Sequence, residues 1–247
     1  MLELYHAGLT ACSKKVRLCL REKEIDYIGR FVNINRFEQH KPEYLKLNPN
    51  GVVPTLVHDG EVIIESTVIN EYLDDTFPDI PLRPKSLSER ARMRVWAKIS
   101  DEALAPNMVF AFTARGGMGD AAKQLDDATR AAAIDQFPLR DRRLIMTKIA
   151  LGEGFNDDEL ATARQKAEDI VLKVERALQT GPYLAGSQYS LADINMIPFI
   201  DRYRQRILPD RLTPEFYPLT CDWHARIMAR PQVQDTFRPL PVSEMTG

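Results

Sequence analysis

Cysteine is scarce in this chain of 247 residues: there are three, Cys12, Cys19 and Cys221. An odd number at wide spacings suggests neither a disulfide framework nor a zinc motif, and it fits a reducing compartment. The four histidines, at positions 6, 40, 58 and 224, are scattered without ligand spacing, so no metal site is expected. A dominant charge is lacking too. Thirty-three Lys and Arg stand against 35 Asp and Glu, a formal net charge of -2, and no basic excess suggests nucleic acid as a partner. No apolar run approaches the roughly 20 residues of a membrane helix. Met1–His6 lacks the basic and apolar regions of a signal peptide, and a cytoplasmic location is expected. Internal repeats and low-complexity tracts are absent.

What is present suits a soluble globular protein: 44% hydrophobic and 28% charged residues supply a core and a solvated surface. Leu2, Leu4 and Tyr5 open a strand, and from Ser13 the chain turns helical, with Val16, Cys19 and Leu20 at steps of three and four. Tyr27–Val32 reads as a second strand, so that strand, helix, strand predicts a parallel βαβ unit. A short helix is expected over Glu38–Leu47, then a loop at Asn48–Gly51. Thr55–His58 and Glu61–Ile64 flank Asp59-Gly60, the signature of a hairpin with a type I′ turn. Ser66 begins a helix that must stop near Pro78. Phe77–Pro84 holds three prolines and no periodicity. Beyond it only helices are expected: a long one over Glu89–Phe112, an amphipathic one over Thr162–Gln179, one capped by the box Ser190-Leu191-Ala192-Asp193, and a shorter one at Leu219–Met228. The arginines at 202, 204 and 206 read as a solvated surface. The expected architecture is an α/β domain of order βαβαββα over residues 1–77, a linker over 78–87, and an all-helical domain over 88–247.

Element order alone gives no function; the motifs narrow it. Asn48-Pro49-Asn50-Gly51-Val52-Val53-Pro54-Thr55-Leu56, with Glu65-Ser66 nine residues after Leu56, closely resembles the glutathione-binding region of cytosolic glutathione transferases. The Ser190–Asp193 box resembles the capping motif of that family's helical domain. Within the family, Arg36-Phe37-Glu38-Gln39-His40, the run Val62–Ile69, and Arg94-Val95-Trp96 with Asp101-Glu102 look like bacterial β-aryl etherases, as does an insertion at about Phe137–Glu159. The resemblance implies a thioredoxin-like first domain, glutathione as co-substrate, a hydrophobic electrophile as second substrate, a homodimer, and a cis peptide bond before Pro54.

Each part of glutathione needs different chemistry. Ser66, at a helix N-terminus, can offer hydroxyl and backbone N–H to the γ-glutamyl carboxylate, and Glu65 can accept from the ammonium group. Without the upstream motif the pair would read as a helix cap. The resemblance gives Val53, through its backbone, and Pro54 to the cysteinyl part. It gives Gln39, His40 and Lys41 to the glycine carboxylate, with His40 preferred; the alternative is an ordinary solvated helix start. For the thiol, three catalytic candidates stand in Thr10-Ala11-Cys12-Ser13. Ser13 matches the serine of the etherase-like branch, Cys12 the cysteine of the bacterial beta class, and Thr10 the first serine of the zeta class. Ser13 is preferred, with a plain helix cap as its alternative. Cys19 reads as core. For the second substrate, Met108, Phe110, Phe112 and Arg115 are candidates, although a Met/aromatic stripe is more often core, and Tyr203 is a weaker one.

Three functions follow from the resemblance. The first is a transferase in which bound glutathione thiolate attacks an electrophilic, aromatic substrate, with β-aryl ether cleavage as the preferred variant. The second is a thiol-disulfide oxidoreductase using Cys12. The third is a non-catalytic glutathione-binding module, ranked last because Glu65, Ser66 and a hydroxyl candidate are all present.

Overall fold

A computed structural model describes residues 1–8, 10–113, 120, 123–135, 137–139, 143–151 and 153–239. The first half contains β1 (Leu2–His6), α1 (Ala11–Glu22), β2 (Ile28–Phe31), α2 (Pro42–Leu45), β3 (Thr55–His58), β4 (Glu61–Ile64) and α3 (Ser66–Thr76). The sheet order is β2-β1-β3-β4. Strand β1 pairs parallel with β2, Leu4 opposite Gly29, and antiparallel with β3, Leu4 opposite Leu56. Parallel neighbours need a crossover, and α1 supplies it. The hairpin β3–β4 forms with the expected boundaries, and Asp59 (φ 51) and Gly60 (φ 90) both take the positive φ that a type I′ turn requires.

The second half contains α4 (Leu87–Glu102), α5 (Leu104–Thr113), α6 (Asp127–Asp135), α7 (Arg143–Ala150), α8 (Asp157–Ala177), α9 (Leu191–Arg202), α10 (Pro218–Met228) and α11 (Pro231–Phe237). The single helix expected over Glu89–Phe112 is two. Pro106 has no N–H to give the Glu102 carbonyl, and its ring crowds that carbonyl, so α4 ends at Glu102. The helix expected at Thr162 begins at Asp157, because Asn156 and Glu159 form a reciprocal capping box. Pro231 opens α11, a position proline favours. The helix expected over Glu38–Leu47 is instead a 3₁₀ turn, Glu38–His40, followed by α2, and a further 3₁₀ turn, Ile34–Arg36, precedes it. Phe37 between the turns is left-handed (φ 55), which stops them from merging.

Helix α9 is the axis of the molecule. Every residue from Leu191 to Asp201 is buried, and α9 packs against α1, α4 and α3. A helix apolar nearly all round must be enclosed. Its N-terminus is held by the predicted box: Asp193 accepts the Ser190 N–H (3.0 Å), the Leu184 N–H (3.1 Å) and the indole N–H of Trp223 (2.8 Å). The segment between α3 and α4 is fixed by Asp74, whose carboxylate accepts the Leu82 N–H (2.7 Å) and pairs with Lys23 (2.8 Å). All three cysteines are free; Cys19 lies in the core, as expected.

Candidate active site

A cavity of about 200 Å³ opens where the N-terminus of α1, the loop before β3 and the start of α3 face α4, α5 and α9. Its floor is the motif Asn48–Thr55. The Asn48 amide donates to the Val52 carbonyl (2.9 Å) and to Thr55 Oγ1 (3.0 Å), and accepts the Asn50 N–H (3.0 Å). Tyr44 adds its hydroxyl to the same carbonyl (2.7 Å), and burial pushes that phenol up to about 12. Gly51 sits at φ 60, and a Cβ there would meet Cδ2 of His40 at 3.0 Å, so glycine is required. This scaffold presents Val53 and Pro54 at the cavity wall, and the bond between them is cis, as the resemblance implied.

Glu65 and Ser66 both line the cavity. Glu65 is held at φ 69, an uncommon conformation for a residue with a side chain, and accepts from the Asn50 amide (3.4 Å). Ser66 opens α3, where the helix dipole favours an anion. Two groups that sequence reasoning did not assign to the site, Ser100 and Asp101 on α4, complete this end. Behind them lies Lys15, fully buried, with its ammonium 3.2 Å from Ser100 Oγ and 3.6 Å from the Asp101 carboxylate. Burial lowers the Lys15 pKa, and the charges of Cys12 and Asp101 oppose that shift.

Of the three residues expected at the glycine carboxylate, only Gln39 lines the cavity. It is 4% exposed, and its Oε1 has no partner among the described residues. Leaving such an acceptor unsatisfied costs about 1–3 kcal/mol, which an N–H donor of a ligand would recover. His40, the preferred contact, is turned away. In a 3₁₀ turn neighbouring side chains diverge by a third of a revolution. His40 therefore packs between the rings of Phe37 (5.8 Å) and Phe137 (5.0 Å), and burial lowers its pKa to about 4. Lys41 points to solvent and pairs with Glu38 at 3.3 Å.

The thiol end also departs from the first choice. Thr10 and Cys12 line the cavity; Ser13 does not. Ser13 is fully buried, and its hydroxyl accepts the Ala7 N–H (3.1 Å) and the Thr10 hydroxyl (2.7 Å). Thr10 is the N-cap of α1 but makes no side-chain cap bond, and the first-turn N–H groups have no intrahelical acceptor. The opposite wall is apolar, formed by Ile34, Leu104, Met108 and Phe137. Phe110 is core instead, with Arg164 stacked on its ring, as the Met/aromatic alternative has it. The Phe112 side chain and all of Arg115 lie outside the described residues. Tyr203 is core, its hydroxyl on the Ala103 carbonyl (2.8 Å). Arg202 lines the cavity, whereas Arg204 and Arg206 are exposed. Charge spacing carries no sign of this, because the residues after Arg202 form a π turn, Tyr203–Ile207, which breaks the α-helical spacing.

A four-stranded mixed sheet with a cis-proline floor, joined to a helical bundle across such a cavity, defines the glutathione transferase class. Residues 11–76 match the glutathione S-transferase N-terminal domain family and residues 138–231 its C-terminal domain family, and the chain belongs to this superfamily. Among individual relatives, Protein LigF of Sphingobium sp. (strain NBRC 103272 / SYK-6) is 35% identical over 240 residues, 96% of this chain and 93% of that protein. The crystal structure of beta-etherase LigF from Sphingobium sp. strain SYK-6 superposes with a TM-score of 0.84 at 33% identity, covering 96% of this chain and 98% of the other. A glutathione transferase homolog from Sulfitobacter, solved with bound glutathione, shares the fold at 23% identity and a TM-score of 0.66, covering 95% and 96% of the two chains. Glutathione is the co-substrate of the family, and the donors and acceptors around the cavity fit it.

Proposed function

We propose that the chain cleaves β-aryl ethers by attack of bound glutathione thiolate on the ether-bearing carbon. The observation that carries this reading is one cavity with three kinds of wall: a charged end at Glu65, Ser66 and Asp101, a helix N-terminus with Thr10 and Cys12, and an apolar face of Leu104, Met108 and Phe137. A peptide thiol can be anchored at the first, ionised at the second and brought against an aromatic substrate at the third. Glu65 accepts from the γ-glutamyl ammonium, Ser66 donates to the carboxylate beside it, Val53 pairs its backbone with the cysteinyl unit, and Gln39 turns its amide to the glycine carboxylate. Thr10, rather than Ser13, faces the sulfur. A hydroxyl donor and the α1 dipole both favour the thiolate, the form that attacks. The likeness to a beta-etherase over nearly the whole chain supports the ether-cleaving variant. Glutathione-dependent phenol release from a β-aryl ether with a fluorescent leaving group tests it; no release from an ether, with glutathione bound, would remove this reading.

Cys12 supports a second reading, thiol-disulfide exchange, because it is the pre-formed thiol on the cavity wall. Unchanged disulfide reduction by Cys12→Ser would dismiss it. In this reading of the whole protein, residues 1–77 carry glutathione, 88–247 carry the second substrate, and the protein is a cytoplasmic homodimer. Val62 on β4, Val68 on α3 and Val95 on α4 are 41%, 54% and 57% exposed, and Glu71 and Arg94 pair across α3 and α4 at 3.1 Å. These exposed apolar positions suit a two-fold contact. Among the described residues no helix is long and apolar enough to cross a membrane.

A further inference from the structure

We propose that the Asn107 amide oxygen accepts a hydrogen bond from a neutral hydroxyl on the aromatic part of the second substrate, so that the site selects hydroxylated rings over rings that carry no donor. The inference rests on the ether-cleaving reading, which lays the aromatic substrate against α5, and adds a group by which that substrate is chosen.

Leu104, Asn107 and Met108 all line the cavity. Steps of three and four put them on one face of α5, so one polar side chain stands in an otherwise apolar stripe. Asn107 is 4% exposed, and its Oδ1 has no partner among the described residues. Packing does not explain the residue. Asparagine is a weak helix former, and leucine, of the same branched shape, would occupy the position without an orphaned acceptor. What the position lacks is a donor, and a molecule in the cavity can supply one.

Glutathione leaves this acceptor over. Its ammonium group has the carboxylates of Glu65 and Asp101, its cysteinyl N–H the Val53 backbone, and its glycyl N–H the unpartnered Oε1 of Gln39. The sulfur, as thiolate, has no proton to donate. The donor therefore belongs to the second substrate. It is neutral, because an oxyanion would face the lone pairs of Oδ1, and an ammonium group would need a carboxylate, whereas both carboxylates on the cavity serve the peptide end. A ring hydroxyl, with a phenolic pKa of about 10, meets both conditions at neutral pH. An acceptor enclosed in an apolar wall discriminates by what it loses: a ring without the hydroxyl leaves it desolvated and unpaired.

The test uses the full chain and S-benzylglutathione conjugates, in which the peptide carries the ring into the second-substrate site. Dissociation constants are measured by calorimetry for conjugates with a hydroxyl at the ortho, meta or para position, and for the fluoro partner of each, which is of similar size and has no proton to donate. In the wild type one hydroxyl conjugate should bind at least about tenfold more tightly than its fluoro partner. Asn107→Leu should bring that ratio to within about twofold of unity, and Asn107→Asp, which keeps an acceptor, should retain the preference. No preference at any ring position in the wild type overturns the proposal, and that result needs no variant. A preference that survives Asn107→Leu, with both partners weakened equally, also overturns it, as a purely structural residue would give. A preference lost in Asn107→Asp would assign the contact to the amide N–H and overturn the acceptor role. Phenol release from ring-hydroxylated and ring-fluorinated β-aryl ethers is measured alongside. Cleavage of both at equal kcat/KM overturns the proposal and leaves ether cleavage standing. A hydroxyl preference in binding that Asn107→Leu removes, without cleavage of any ether, upholds the acceptor and discards the ether reading.

Discussion

Thr10 Oγ1 donates to Ser13 Oγ across 2.7 Å, so the two hydroxyls at the start of α1 form one chain from the cavity into the core. Thr10 is the outer link and Ser13 the inner one, anchored by the Ala7 N–H. On thiolate formation the order can reverse, Ser13 donating to Thr10 and Thr10 to sulfur. Thr10→Val should lower kcat/KM by about 100-fold, the worth of one well-placed donor to a developing or bound anion. It should also move the acid limb of the pH–rate profile upward. Ser13→Ala should cost less, about tenfold, and Thr10→Ser should restore most of the rate. Equal losses in Thr10→Val and Thr10→Ser would show that the hydroxyl is not the working group.

Cys12 shares the cavity with Thr10, and the proposed ether attack does not use it. Cys12→Ala should retain transferase activity within about threefold, an expectation tied to the hydroxyl mechanism. Steady-state kinetics with saturating glutathione decide this: near-complete loss would transfer the role to the thiol.

Acid should destabilise the fold in a way the buried ionisable groups specify. Burial holds His6 and His40 near a pKa of about 4, below the ordinary 6.5, so the unfolded chain binds more protons between those values. Stability therefore falls as pH drops from 6.5 to 4. Burial raises Asp193 from 3.8 to about 6, which works the other way between pH 6 and 3.8. Over these three groups the balance is one proton, a slope of about 1.4 kcal/mol per pH unit. Denaturant midpoints of the wild type should fall between pH 6 and pH 4, and His40→Phe should flatten that fall; a variant with the wild-type slope would refute the assignment.

Asp193 is also the keystone of α9. Asp193→Ala would leave the buried donors of Ser190, Leu184 and Trp223 without their acceptor. The expected loss is more than about 3 kcal/mol, read from urea unfolding, since each orphaned group costs about 1–3 kcal/mol. A loss below about 1 kcal/mol would mean that water replaces the carboxylate.

Local rules were the legible part of this protein. Asp59-Gly60 sets a hairpin wherever it stands between two β-formers, and Ser190–Asp193 sets a helix start. The Asn48–Pro54 run could be read because its side chains bond mainly to their own loop. The site residues were harder, since their orientation depends on neighbours distant in sequence or on a change of helical pitch. Ser13 faces inward because the turn before α1 brings the Ala7 N–H to it. Gln39 lines the cavity and His40, the preferred residue, does not, because Glu38–His40 is a 3₁₀ turn. Arg202 lines the cavity although alternation with Arg204 and Arg206 suggests a solvated face, because the π turn that follows it has no signature in the spacing of charges.

The packing of α9 has a consequence for the chain as a whole. Asn70 on α3 donates to Asn195 on α9 at 2.8 Å, and Lys15 on α1 reaches Ser100 on α4, all in the interior. Neither half can expose its inner face without stranding the polar partners of the other. Heredity therefore treats the two as one object: a recombinant that borrows either half from a relative must borrow the matching seam as well. A protease cut in the connecting segment would leave two fragments that stay together as a functional pair.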